Sequence, residues 1–169
     1  MNFNFQSLIP KNFNNHSRVW VYQSNRVFTE PETLQIEKHL RSRIKGRKFQ
    51  DIMLKSVARL FFEQFIIIIV YQSGKQVNGF STDNLIGLIK KIEQDFQVAL
   101  SDRQMLAFII RDRIQLLPLT MLNDAIEKDL ITPETLYFNN AILTKKELMN
   151  NWIIPLKESW LGVRILENV

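Results

Sequence analysis

The chain has 169 residues and contains no cysteine. This absence excludes a disulfide scaffold, a thiolate zinc site and a cysteine nucleophile. Histidine is also scarce: His16 and His39 are the only two, so imidazole-based metal sites and acid–base chemistry have few candidates. With five glycines and no Gly/Ser-rich linker, the sequence favours a single domain over residues 1–169.

Long hydrophobic runs are missing as well. The longest unbroken apolar run, residues 65–71, is far shorter than the about 20 residues of a membrane-spanning helix. Residues 1–5 lack the basic-then-apolar order of a signal peptide. We therefore expect a cytoplasmic protein with no membrane partner.

Positive charge is concentrated in one short block. The net charge is +5, and six of the eleven residues 38–48 are basic whereas none is acidic. Such a block attracts phosphate, nucleic acid or acidic lipid, but basic residues near a helix C-terminus also complement the helix dipole. The six residues are Lys38, Arg41, Arg43, Lys45, Arg47 and Lys48.

Local patterns predict a β-α-β-β-α-β order of elements. Residues 18–23 alternate in a way typical of a strand, and Thr29-x-x-Glu32 is a capping box that begins a helix. Residues 54–62 and 65–71 predict a hairpin whose second strand is apolar on both faces and therefore central. A helix that Ser81 caps and a hairpin over residues 105–117 follow.

This order is typical of the ferredoxin-like fold. We therefore expect an α+β protein with a ferredoxin-like βαββαβ core over residues 1–117, in which both helices lie on one face of an antiparallel sheet. Residues 118–169 predict a C-terminal α/β extension with a short strand at 136–138 and a helix capped by Thr144. Because the extension is apolar, we expect it to pack on the open face or edge of the core.

The first candidate site is the loop at residues 74–83. It has the G-x-x-x-x-G spacing of a P-loop, but Phe80 stands where the phosphate-binding lysine belongs, which disfavours nucleotide hydrolysis. A helix N-terminus after such a loop still offers backbone N–H groups to an anion. Gly79, Ser81 and Asp83 are the ligand-binding candidates, although Ser81 and Asp83 equally suit a simple helix cap.

The second candidate site is aromatic. Trp20 and Tyr22 share one side of the first strand, and alternate residues of the central strand, among them Phe65 and Tyr71, share a side as well. In β-α-β-β-α-β proteins that bind RNA, aromatic side chains on these two strands stack on bases. The signature [RK]-G-[FY]-[GA]-[FY] is missing, however, and an extension that holds Trp152 offers a competing explanation, in which these aromatic side chains are simply covered.

Three blocks of the sequence resemble a known family. They are residues 18–26, the run Gly79-x-Ser81-x-Asp83, and residues 138–152, which begin Phe-Asn-Asn and end Asn-Trp. In this order they are similar to a family of small bacterial proteins that automatic labelling often calls ABC transporter ATPases. The sequence does not support that label, because it has no P-loop lysine and no acidic strand end for magnesium. The family has no established activity, so the resemblance implies no mechanism.

The chain also departs from the family pattern at polar positions. The family usually carries a cysteine where Phe80 stands, an acidic pair where Tyr71 and Gln72 stand, and Trp with His-Gly near residues 44–46. If those groups form a site in the family, this chain has lost most of it. The departures therefore favour a protein without catalysis.

We thus expect a non-catalytic binding or interaction module with no cofactor and no metal, whose partner is an unknown protein or a second copy of the chain. One alternative is single-stranded nucleic-acid binding, in which Trp20 and Tyr22 stack on bases and the basic block contacts phosphates. Another is binding of a small anion or nucleotide by the 74–83 loop. The phosphate-contacting residues would be Arg41, Arg43, Lys45, Arg47 and Lys48.

Overall fold

The computed structural model describes residues 2–44, 48–49, 52–53, 55–71 and 82–163. It confirms a mixed α+β protein. The helices are α1 (Glu30–Ile44), α2 (Thr82–Phe96), α3 (Leu122–Glu127) and α4 (Lys145–Asn151). The strands are β1 (Arg18–Gln23), β2 (Lys48–Phe49), β3 (Ile52–Met53), β4 (Ser56–Phe61), β5 (Phe65–Val70), β6 (Met105–Ile110), β7 (Arg113–Pro118), β8 (Leu136–Phe138) and β9 (Ile153–Pro155).

The first large sheet has β5 at its centre, antiparallel to both β1 and β4. Every residue of β5 is buried, as its two-sided apolar sequence predicts. One face of β5, which includes Ile66 and Ile68, packs against apolar side chains of α1 and α2. The expectation that both helices share one face of an antiparallel sheet is therefore confirmed.

The second large sheet has the order β7-β6-β8-β9 and is antiparallel throughout. Ala107 and Phe138 from this sheet belong to the same buried cluster as Phe65 and Ile67 of β5. Its opposite face, which includes Phe108, packs against α3 and the segment after β9. The layers are thus the helix pair, the first sheet, the second sheet and α3.

The ferredoxin-like topology is not confirmed. That topology requires a fourth strand along the outer edge of β1, the edge that faces away from β5, but β6 pairs with β7 and β8 instead. The extension forms hydrogen bonds with part of this outer edge. The Val19 N–H donates to the Leu143 carbonyl (2.9 Å), and the Lys145 N–H donates to the Ser17 carbonyl (2.8 Å). The order of elements along a chain does not specify which edge each strand pairs with.

The structure contains both predicted hairpins, β4–β5 and β6–β7. The β4–β5 turn contains Phe62 and Glu63 at positive φ, and the β6–β7 turn places Arg111 and Asp112 at φ of 50° and 57°. Two consecutive positive φ values give the type I′ twist that suits a hairpin, although neither turn contains glycine. The short strand β9, by contrast, lies where the sequence analysis predicts no strand.

An ion pair links the two helices of the first layer. The Arg26 guanidinium donates to both carboxylate oxygens of Glu32 (2.9 and 2.8 Å) and to the Phe96 carbonyl at the end of α2 (2.8 Å). Glu32 also accepts from the Thr29 N–H (2.8 Å), which completes the predicted capping box. The Arg26 side chain and the Thr29 N–H lower the pKa of Glu32 to about 2.

We predict that Glu32→Gln lowers the free energy of unfolding at pH 7 by about 1 kcal/mol, since the pair is partly exposed. A lowered folded-state pKa contributes stability above the ordinary value of 4.5, and this contribution is lost as the pH falls through about 2. Urea unfolding of wild type and variant between pH 7 and pH 2 should therefore show a difference that shrinks with acid. Glu37→Gln is the control, because the one ion pair of Glu37 within the described residues is the solvent-accessible i,i+4 pair with Arg41. This variant should change stability by less than about 0.5 kcal/mol.

Candidate functional site

A cavity of about 520 Å³ lies beside the outer edge of β1, next to the second sheet. We call it the β1 cavity. Its volume falls within the about 300–1,000 Å³ that is common for small-molecule sites. It is bounded by residues 20–23 of β1, Ile86 of α2, residues 100–106, Leu119, Tyr137, Phe138, Asn140, Ala141 and Trp160.

The walls of the β1 cavity are rich in aromatic rings. Trp20 and Tyr22 come from alternate positions of β1, Tyr137 comes from β8, and Trp160 follows β9. The Arg18 guanidinium lies 4.9 Å from the centre of the Trp20 ring, a cation–π contact that helps to hold the indole in place. The Tyr137 oxygen forms a hydrogen bond with the side chain of Trp160, in which the indole N–H is the donor.

A chain of side-chain amides forms the floor of the cavity. Gln23, which is only 6% exposed, donates through Nε2 to the Met105 carbonyl (3.0 Å) and accepts at Oε1 from Asn140 Nδ2 (2.7 Å). Asn140 Oδ1 in turn accepts from Trp152 Nε1 (3.1 Å). These bonds tie β1 to the start of β6 and to the segment between β8 and α4, so the floor is rigid.

The two tyrosines that line the cavity, Tyr22 and Tyr137, both have a raised pKa. Burial raises the pKa of Tyr22, an effect that Arg103 opposes and Glu93 reinforces. Burial also raises the pKa of Tyr137, and its bond with Trp160 opposes this shift. Both phenols are therefore uncharged at neutral pH, so each hydroxyl keeps its proton.

The cavity lacks a catalytic pair among the residues that the structure describes around it. Asp102 is the single carboxylate of this set, and its Oδ1 accepts from the Gln104 N–H (2.8 Å). Histidine is absent from the same set. The arrangement provides apolar surface and hydrogen-bond groups rather than a nucleophile with an adjacent base.

The predicted aromatic residues lie on two different faces. Trp20 and Tyr22 face the helix layer together with Ile66 and Ile68. Phe65, Ile67, Ile69 and Tyr71 face the opposite way, where Phe138, Trp152 and their neighbours cover them. The two strands therefore do not form one continuous stacking surface, although Trp20 and Tyr22 themselves remain only partly buried.

The basic block lies apart from the β1 cavity. Arg41 and Arg43 are exposed in the last turn of α1, and Arg41 Nη2 contacts Glu37 Oε2 at 2.9 Å. This end of α1 borders a smaller cavity against β4, the strand on the far side of β5 from β1. Lys45 and Arg47 lie outside the described residues, and of Lys48 only its place in β2 is described.

The loop candidate cannot be placed in the same way. Gly79 and Ser81 lie outside the described residues, and Asp83 is described only as part of the first turn of α2. The hypothesis of an anion site on this loop stays a prediction.

Sequence reasoning missed several residues of the β1 cavity, above all Asn140, Trp160 and Ile86. Asn140 belongs to the Phe-Asn-Asn block, so the resemblance drew attention to the segment without indicating its role. Trp160 follows β9 and is 48% exposed. No sequence pattern indicates that these positions meet, because they come from separate elements.

The first and third blocks that carry the family resemblance meet here. Residues 18–23 form β1, and residues 138–152 contact β1 through the Gln23–Asn140 amide pair and through the bond between Val19 and Leu143. Comparison with family models, curated proteins and solved structures gives no match to this chain. The family resemblance therefore stays a prediction.

The described ranges of the chain lack two further features. None of the helices there has the length and apolar character needed to cross a membrane. Across the same ranges, acidic and histidine side chains form no group of three that could hold a metal ion.

We predict that Gln23→Leu lowers the free energy of unfolding by about 1–3 kcal/mol, because it removes the partner of the part-buried Asn140 Nδ2 and of the Met105 carbonyl. Chemical denaturation measures the loss. The matched control is Gln115→Leu on the exposed side of β7, which should stay within about 0.5 kcal/mol of wild type. Equal losses of unfolding free energy in the two variants would mean that the amide chain makes no specific contribution to stability.

Proposed function

We propose that the protein is a non-catalytic binding module whose ligand is a small molecule held in the β1 cavity. The observation that carries the proposal is a cavity of about 520 Å³ with aromatic walls and a floor of hydrogen-bonded amides. Pockets that bind small molecules are mostly apolar, with a few fixed polar groups that orient the ligand. The β1 cavity has this composition.

Exposed apolar side chains at the rim support the same conclusion. Ile86 is 42% exposed and Trp160 is 48% exposed, and both border the cavity. Large apolar groups that stay in contact with water lose that contact when a ligand covers them, which favours binding. Together they form an apolar rim around the cavity.

Binding without catalysis agrees with the chemistry of the lining residues. The neutral Tyr22 and Tyr137 hydroxyls can donate or accept hydrogen bonds, and Arg103 adds one positive charge. These groups orient a ligand but do not activate one. A single-stranded nucleic acid has less support, because the basic end of α1 and the aromatic side chains of β1 lie on opposite edges of the first sheet.

We predict that fragments of aromatic character raise the melting temperature of the wild-type protein and change its tryptophan fluorescence. A ligand at 100 times its dissociation constant stabilises the folded state by about 2.7 kcal/mol. Ile86→Arg places a charge at the rim and should abolish the shift. Leu130→Arg changes an equally apolar residue, 64% exposed and outside the cavity lining, and should leave the shift intact.

Either of two results would contradict the proposal. A library in which no fragment shows an Ile86-dependent shift, or in which the Ile86→Arg and Leu130→Arg variants respond alike, means that the β1 cavity is not a binding site.

A further inference from the structure

The outer edge of β1 directs backbone groups toward the cavity, and Val21 lies at the middle of this edge. In an antiparallel sheet, alternate residues direct both their N–H and C=O groups toward the same neighbouring strand. The Val19 N–H bonds outward to Leu143, so Val21, two residues later, also directs both groups away from β5. Within the described part of the chain no residue bonds to either group, and Val21 lines the β1 cavity.

The unpaired stretch of this edge is short. At one end, the segment around Thr144 bridges to Arg18 and bonds to the edge as far as the Val19 N–H. At the other end, the Gln23 side chain closes the edge through its bonds to Met105 and Asn140. An added peptide strand commonly spans at least three residues and would collide with both closures. A single planar group needs to pair with only one residue of the edge, and Val21 directs both its N–H and its C=O to that side.

The side chains around Val21 favour a flat ring as that planar group. Trp20 and Tyr22 flank Val21 in the strand, and Tyr137 and Trp160 line the same cavity. Aromatic rings pack well against other rings in stacked or edge-to-face arrangements. The ring must carry an acceptor for the Val21 N–H and, next to it, a donor for the Val21 carbonyl.

We propose that the β1 cavity binds a planar heteroaromatic base of the purine class, which pairs through its donor–acceptor edge with the Val21 backbone. Adenine offers N1 as the acceptor and its 6-amino group as the donor, and guanine offers O6 and N1–H. Recognition by backbone groups would persist through changes of side chain at position 21. This inference rests on the proposed function, because it names the ligand class of the same cavity.

The first experiment compares purines on the wild-type protein by calorimetric titration. We expect 9-methyladenine or 9-methylguanine to bind, and the binding base to lose at least tenfold in affinity when its donor is methylated, as in 9-methyl-N6,N6-dimethyladenine. A tenfold loss corresponds to about 1.4 kcal/mol, which is typical of one lost hydrogen bond. Equal affinities for the parent base and its methylated form would overturn the inference.

The second experiment removes the Val21 N–H alone. Val21→Pro lacks the donor, and proline is tolerated on an edge strand where the N–H faces away from the sheet, as it does here. We expect at least a tenfold weaker purine affinity for Val21→Pro and less than a threefold change for the control Val21→Ala, which keeps the backbone groups. Equal losses in both variants would assign the effect to the side chain and overturn the inference.

Hydrogen exchange gives a readout that needs no variant. The Val21 amide should exchange quickly in the free protein and slow at least tenfold when a methylated purine is bound. The Trp20 amide, which faces β5, should be protected in both states. An unchanged Val21 rate with bound purine overturns the inference. If neither purine binds but other fragments show the Ile86-dependent shift, the inference fails while the proposed function stands.

Discussion

The structure depends on one constraint, the burial of β5 on both of its faces. All six residues of this strand are apolar and buried, so two separate layers must cover them. The helix pair covers one face, and the second sheet covers the other, with Phe138 stacked on Phe65 at 4.5 Å between ring centres. A strand at the centre of a two-layer fold often has one solvated face, but β5 has none.

The β1 cavity follows from how the second sheet meets this constraint. The second sheet covers the face of β5, whereas β6 pairs with β7 and β8, and among the described strands none pairs with the outer edge of β1. The segment around Thr144 and the Gln23–Asn140–Trp152 amide chain close the two ends of that edge. The same contacts that fix the two sheets together therefore define the limits of the cavity.

Sequence patterns predicted what depends on neighbouring residues. The capping boxes at Thr29 and Thr144, the two hairpins, the central position of β5 and the helix face of the first sheet are set by local chemistry and periodicity, and all are confirmed. The pairing of β6 depends on which of two distant edges binds it more favourably, and local periodicity carries no information on that choice. For this reason the ferredoxin-like topology is not confirmed, although most of the predicted helices and strands are present.

In the candidate site, too, the sequence predicted some residues and missed others. Trp20 and Tyr22 were identified from alternation in β1, because position along a strand decides which way a side chain points. Asn140, Ile86 and Trp160 come from three other elements, and only the folded chain brings them together. The backbone groups of Val21 have no sequence signature at all, since every residue except proline carries them.

The packing of residues 5–13 has a consequence for synthesis. Phe5 contacts the Trp152 ring at 4.7 Å between ring centres, and Ile9 and Phe13 join the same buried cluster. A growing chain exposes Phe5 long before Trp152 has been translated. Residues 5–13 therefore cannot form their native contact with Trp152 until late in synthesis. During that interval one face of β5 has no second sheet to cover it, and the nascent protein is most open to aggregation or to capture by a chaperone.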